Sequence, residues 1–304
     1  MKKGILFLIV LLVVTLLLLF FVKSEIDRKG VDEKMVDVLE NDSFLNSIFL
    51  DVGQGDATFI TFPDGQQMLI DCAKDARIIE ALGRVMPFYD RDIEYLVVTH
   101  PDLDHYGGCI DVLKRFDVEH LVYNGLEKPE DQLWQEFNEL IDTFKEKQQY
   151  TRVDKSYMWN IASTTVHFLY PNSFVSAKET ESNNSSIVMK FTYGDQDMLM
   201  TGDAEEDIEE YLITTYGKQL DVEMLKAGHH GSNSSSIEEF VSSTRPKVAI
   251  VSAGKNNRFG HPTRRVLKRF ERASTTVWRT DVHGDILLSI TTSSFFVTPQ
   301  FQSI

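Results

Sequence analysis

Four residues able to bind a metal stand within six positions: His100, Asp102, Asp104 and His105. They follow the apolar run 95–99 and precede Gly107-Gly108, so they fall in a turn between a strand and a glycine-flanked helix. Imidazole and carboxylate are the usual ligands of zinc, manganese and iron. A solvated surface group would be expected singly, not in such a cluster. Three further apolar runs end in the same way. Residues 67–70 run into Asp71, residues 198–200 into Thr201-Gly202-Asp203, and residues 222–225 into Lys226-Ala227-Gly228-His229-His230-Gly231-Ser232. In layered α/β proteins ligands sit outside the carboxyl ends of strands, so these side chains are expected to converge on one edge.

The elements that must position them alternate from Ser47 onward. Strand patterns cover 48–52, 57–62, 67–70, 95–99, 120–123, 165–170, 187–193, 197–200, 222–225, 248–252, 276–278 and 285–291. Helical periodicity covers 77–86, 108–116, 131–148, 205–216, 237–243 and 263–272. Ser235 followed by Glu238 is a capping-box pattern, and 131–148 reads as an insertion over one face. Two sheets with helices outside them fit this alternation, because several strands are continuously apolar, as strands buried on both faces are.

The 304 residues are 42% hydrophobic and 25% charged, ordinary proportions for a protein with a packed core. The formal charge of −15 argues against coating nucleic acid or anionic lipid by bulk electrostatics. It leaves room for a local basic patch and suits a site that gathers cations. Cys72 and Cys109 are too few for a disulfide framework or a cysteine-based zinc cage. They are expected as two small core residues, with a single disulfide as the alternative in an extracellular domain. Lys2 and Lys3 precede an apolar run from Ile5 to Val22. With Gly4 it just reaches the roughly 20 residues of a membrane-spanning helix. It exceeds a signal-peptide core of roughly 7–15 residues, and no small-x-small cleavage site follows. Residues 1–23 are therefore expected to be an uncleaved transmembrane anchor, 24–46 a polar stalk and 47–304 the working domain. The two lysines place the N-terminus inside and the domain outside the cell membrane.

His100-x-Asp102-x-Asp104-His105-x-Gly107-Gly108 resembles the HxHxDHxGG signature of metallo-β-lactamase-fold hydrolases. The similarity runs from Ser47 to about Ser293 and points to the metallo-β-lactamase-like domain of ComEC-type DNA-uptake competence proteins. Its other pieces are the stretch from Leu50 to Ala57, Leu69-Ile70-Asp71-Cys72, Asn183-Asn184-Ser185-Ser186, Thr201-Gly202-Asp203, Gly228-His229-His230-Gly231-Ser232, Gly260-His261-Pro262 and Arg279-Thr280-Asp281. The resemblance implies an αββα sandwich and a binuclear centre. One metal would be held by His100 and Asp102. The second would be held by Asp104, His105 and one of His229 and His230, with Asp203 bridging. The other histidine of that pair would orient substrate or transfer a proton. Asp71 would lie one step out, accepting the second N–H of a ligand histidine. Two departures stand out. Asp102 occupies a position where most of the superfamily has histidine, and Asn183-Asn184-Ser185 falls where a further histidine is usual. His167, in the strand before, reads as structural. A site richer in oxygen shifts preference from zinc toward manganese or magnesium.

Two such divalent ions can clamp an in-line displacement at phosphorus. Asp104 counts among the catalytic residues through the metal. His261 is a candidate for phosphate contact or leaving-group protonation, and Lys226 for binding a phosphate oxygen. Lys255, Arg258, Arg264, Arg265, Lys268, Arg269 and Arg272 form a basic stretch beside His261. It would either track a phosphodiester backbone or be a solvated helix face, and Phe259 and Phe270 would either stack or join the core. The leading expectation is an extracytoplasmic phosphodiesterase, most simply a nuclease acting on DNA during uptake or scavenging; in uptake a separate membrane protein would supply the channel. A choline-phosphate-type surface esterase is the alternative enzyme. A non-catalytic module binding DNA or a partner is the alternative outside enzymes.

Overall fold

The computed structural model describes residues 43–173 and 181–301, which belong to one compact unit beginning at Ser43. The expected anchor lies outside the described residues, as does the stalk up to residue 42. Among the described residues no helix is long and apolar enough to cross a membrane.

In chain order the first half runs β1 (Leu45–Phe49), β2 (Thr58–Thr61), β3 (Gln67–Ile70), α1 (Arg77–Val85), β4 (Asp92–Val98), α2 (Leu103–Tyr106), α3 (Cys109–Arg115), β5 (Asp117–Tyr123), α4 (Trp134–Glu146) and β6 (Tyr150–Arg152). The second half runs β7 (Tyr157–Ile161), β8 (Thr164–Tyr170), β9 (Val188–Tyr193), β10 (Gln196–Met200), α5 (Glu206–Tyr216), β11 (Met224–Lys226), α6 (Glu238–Thr244), β12 (Val248–Val251), α7 (Arg264–Arg272), β13 (Thr276–Arg279), α8 (Thr280–His283), β14 (Asp285–Ile290) and β15 (Phe295–Phe301).

These strands form two sheets, ordered β15-β14-β1-β2-β3-β4-β5-β6 and β13-β12-β11-β10-β9-β8-β7. Phe49, Ile60, Met68 and Val97 of one sheet meet Phe168, Met189, Phe191 and Met224 of the other in a buried layer between them. The opposite face of the first sheet is covered by α1, α3 and α4 through Leu82, Val112 and Phe137. That of the second is covered by α5, α6 and α7 through Leu212, Phe240 and Phe270. The result is the expected four-layer αββα sandwich. Its parallel strands β3-β4-β5-β6 and β10-β11-β12-β13 bring their carboxyl ends to the edges that carry the site.

Several expectations change. The first strand is Leu45–Phe49 rather than 48–52, so Asp51 to Asp56 is free to form a loop. β6, β7 and β15 escape the sequence patterns. The 131–148 segment does lie over one face, where Trp134 and Phe137 of α4 pack against Tyr106, with the Phe137 and Tyr106 rings 5.0 Å apart. Phe270 is core, whereas Phe259 is 51% exposed. Cys72 and Cys109 form a disulfide across a separation of 37 residues, rather than packing as free thiols. The Ser235 capping box is also absent, because the Ser235 hydroxyl donates to the Ala204 carbonyl. The start of α6 is instead capped from another helix. The buried Glu209 carboxyl accepts the N–H groups of Ser236 at 2.6 Å and Ile237 at 2.9 Å.

Burial pushes the Glu209 carboxyl up to about 8, outweighing those two bonds and Arg269. An acid whose pKa is raised on folding binds its proton more tightly when folded. Its stabilising contribution is therefore full below the unfolded value, near 4.5, and is lost as pH rises through about 8. Urea unfolding at pH 5 and pH 8 should show wild type losing stability over this interval by more than Glu209→Gln, which cannot titrate. Equal losses in the two proteins would contradict the assignment.

Candidate metal centre

Three residues at or beside the cluster are set by sharp turns at strand ends. Asp71, one residue past β3, has φ 59°, and His229 and His230 beyond β11 have φ 44° and 53°. Such left-handed backbone costs a non-glycine residue about 1–3 kcal/mol and concentrates at functional sites. The loop after β4 passes so close to the chain beyond β3 that only glycine fits. A Cβ on Gly107 would lie 2.1 Å from the Lys74 carbonyl oxygen, and one on Gly108 2.1 Å from that of Cys72. The disulfide joins the same two segments, and the Cys72 N–H donates to the His105 carbonyl at 2.8 Å.

His100, His105, Asp203, Asp104 and His230 converge. His105 Nε2 and His230 Nε2 each lie 3.3 Å from Asp203 Oδ2, and His230 Nε2 lies 3.4 Å from Asp104 Oδ2. Donor atoms of His100, His105 and Asp203 fall within 4.8 Å of one another, as do those of Asp104, His105 and His230. The Nε2 atoms of all three histidines and Oδ1 of Asp203 are buried without a hydrogen-bond partner. Polar atoms orphaned in this way are costly, and a bound divalent cation would satisfy them. The other ring nitrogens are already engaged. Asp71 Oδ2 lies 2.8 Å from His105 Nδ1 and accepts from it, the Ser252 carbonyl accepts from His230 Nδ1 at 3.0 Å, and Thr99 Oγ1 lies 3.0 Å from His100 Nδ1. Asp71 is fixed in turn by the Thr99 N–H and hydroxyl.

The field of the cluster favours positive charge. Burial works against an imidazolium at His230, yet Asp203 and Asp56 push it up to about 10. His105 is raised well above its ordinary value against the same penalty, by Asp203 and Asp71. Burial would raise Asp203, but His230 and His105 hold it well below the usual carboxylate range. A cation at this point would answer the same field.

Two sequence candidates stand apart. Asp102 Oδ2 is 3.7 Å from His100 Nε2, but its other oxygen accepts from Lys128. His229 Nε2 reaches only to 4.0 Å from Asp203, and its Nδ1 lies 2.9 Å from Glu205 Oε1. Of the histidine pair, His230 therefore joins the cluster and His229 flanks it. Asn183 donates to Glu205 at 3.2 Å rather than facing the centre, and His167 is engaged by Ser156. Lys226 does not lie where a phosphate could reach it. It is 2% exposed, with Nζ 2.5 Å from Asp56 Oδ2 and donating to the carbonyls of Gly202 and Ala227. Asp56 was missed by sequence reasoning. Burial would raise its carboxyl, but Lys226 and then His230 hold it at about 2. In the sequence it shows only as part of the 50–57 stretch, at the end of the glycine-rich loop before β2.

A cleft of about 440 Å³ opens beside Asp104, lined by Gln54, Lys74, Arg77, Asn257, Arg258 and Phe259 among others. The His261 ring lies 5.5 Å from that of His229 and 5.9 Å from that of Phe259. Burial first, then His229 and His230, lower its pKa. Within the basic stretch, Arg269 is tied to the Ser235 and Ser236 carbonyls and Arg272 to Glu238.

The sandwich and the strand-end cluster define a class. Residues 50–167 match the family model of the metallo-beta-lactamase superfamily, and the chain carries a metallo-β-lactamase domain. A narrower placement comes from its relatives. The chain is 32% identical over 256 residues to ComE operon protein 3 of Bacillus subtilis (strain 168). It is 31% identical over 243 residues to Recombination protein 2 of Haemophilus influenzae and 30% over 199 residues to Competence protein ComA of Neisseria gonorrhoeae. These matches take in 78%, 78% and 64% of this chain and 32%, 28% and 25% of the relatives, so the chain spans about a third or less of the proteins it matches. Among solved structures, CmlA, a diiron β-hydroxylase from Streptomyces venezuelae, aligns with a TM-score of 0.50 at 13% identity, covering 88% of this chain and 59% of that one. That likeness is one of fold.

Proposed function

We propose that this domain is a metal-dependent phosphodiesterase that cuts DNA on the outer side of the cell membrane, held there by residues 1–23. The observation that carries the reading is the set of buried, unpartnered donors at His100, His105, His230 and Asp203 around Asp104. Asp104, His105 and His230 would hold one divalent ion. His100, with Asp102 once released from Lys128, would hold a second, and Asp203, within reach of both His100 and His230, would serve either. When bound, the ions would supply Lewis acidity toward a phosphoryl oxygen and the attacking water. An oxygen-rich second site favours manganese or magnesium there over zinc.

The chain's own groups would do the rest. Asp71 keeps the His105 ring turned inward. Glu205 accepts from His229 Nδ1, and a His229 that also carries a proton at Nε2 would hand that proton to the departing oxygen and be left neutral. His261, lowered in pKa, offers a neutral imidazole beside it. The DNA substrate is supported by the similarity to competence proteins and by the cleft. Lys74, Arg77 and Arg258 line it, and they would repel the quaternary ammonium that a choline-phosphate esterase must seat against aromatic faces. A separate membrane protein would supply the channel.

The test is to load the purified chain with Mn²⁺, Zn²⁺ or Mg²⁺ and assay single- and double-stranded DNA beside bis(p-nitrophenyl) phosphate. Metal-dependent cleavage of DNA is expected. Cleavage of the small diester alone would return the weight to the headgroup esterase. No turnover in a folded protein would leave a binding module.

A further inference from the structure

Phe259 is an apolar ring, 51% exposed, in the wall of a cleft whose other lining is cationic or amide-bearing apart from Leu103 and Asp104. The Arg258 guanidinium lies 4.9 Å from its centroid, and Arg258 makes no ion pair among the described residues. Lys74 lines the same cleft, which reaches Asp104 of the metal cluster. An exposed ring, two cations and amide groups together match the chemistry of a nucleotide. The ring is a sequence-tolerant platform for one base, and the cations suit the neighbouring phosphate.

We propose that this cleft is a subsite for one unpaired nucleotide, with the base stacked on Phe259 and the adjoining phosphate between Lys74 and Arg258. A base arriving on the ring takes the face that Arg258 now covers and releases the guanidinium to the phosphate. Gln54 offers an amide group to the base edge, whereas the Asn257 amide holds the loop that carries Phe259, accepting from the Phe259 and His261 N–H groups and donating to the Gly254 and His261 carbonyls. The cleft of about 440 Å³ accommodates a single nucleotide, and a base can lie on the ring only when it has left its own stack, so the subsite selects single strands or frayed ends. The inference rests on the phosphodiesterase reading, since it places the bound strand beside Asp104.

The experiment is binding without turnover. The full chain in the presence of a chelator is titrated, by fluorescence anisotropy at one fixed salt concentration, with labelled oligo-dT, an abasic strand of equal length and a blunt duplex. Oligo-dT should bind about tenfold more tightly than the abasic strand, the size of one base–aromatic stack. Phe259→Leu should erase that difference while leaving the abasic strand unchanged, and Phe259→Trp should keep it. Equal affinity of wild type for the two strands, equal weakening of both by Phe259→Leu, tighter binding of the duplex, or no binding at all would each overturn the proposal. Failure of the phosphodiesterase reading registers elsewhere, as no metal-dependent hydrolysis of the small diester.

Discussion

Asp203→Ala is expected to empty the metal centre and reduce diester hydrolysis by at least about 10³-fold. Asp203 is the one carboxylate whose oxygen lies 3.3 Å from both His105 Nε2 and His230 Nε2, so no neighbour can stand in for it. A partner one step out, such as Asp71 behind His105, typically costs about 10–100-fold in metal affinity or activity. Asp71→Asn should fall in that range, and loss of Asp203 should exceed it. Metal content measured by mass spectrometry, read beside the hydrolysis rate and a circular dichroism spectrum, checks the expectation. A folded Asp203→Ala protein that keeps its metal and its rate would place the centre elsewhere.

The second large effect is on stability. Lys226→Ala leaves the Asp56 carboxylate buried at 3% exposure without the ammonium that holds its pKa down. Breaking a buried pair in this way costs about 3–5 kcal/mol, while replacing both partners by apolar groups is often neutral. For a domain of this size the loss is about 10 °C in Tm. The double variant Asp56→Leu/Lys226→Met should recover much of it. A lysine that served only to bind phosphate would behave differently: Lys226→Ala would raise KM in a protein of unchanged Tm.

Lys226 shows where the sequence stops being informative. A lysine at a strand end reads as a free cation, because burial depends on what the first sheet and the loop before β2 bring against it. Asp56 was illegible for the same reason, being a lone carboxylate after two glycines until Lys226 and His230 close around it. The converging strand ends were legible, since apolar runs stopping at Asp71, His100, Asp203 and His229-His230 must share an edge in a layered fold. Which of the paired histidines faces inward was not, because it is decided by two successive left-handed residues. Ser235 misled in a related way. Its capping box is local, whereas Glu209 takes up the neighbouring Ser236 and Ile237 N–H groups from a helix nearly thirty residues earlier. The weakly alternating β7 and β15 show that outer strands carry less pattern than buried ones. The core partners of the 131–148 segment, Tyr106 and Tyr123, were not legible because they lie outside its own periodicity.

The bond between Cys72 and Cys109 gives this domain a built-in record of its own maturation. The chain has two cysteines, so oxidation within one molecule has a single product and no scrambled isomer to sort out. Both sulfurs are fully buried once the loop carrying His105 has docked behind Asp71. Molecules taken from cells and treated with a thiol-alkylating reagent under denaturing conditions should therefore divide into two mass classes, carrying two labels or none. The unlabelled class is the population whose ligand loop has been brought home. The ratio of the two would measure how efficiently a host strain delivers finished protein, before any assay of metal or turnover is attempted.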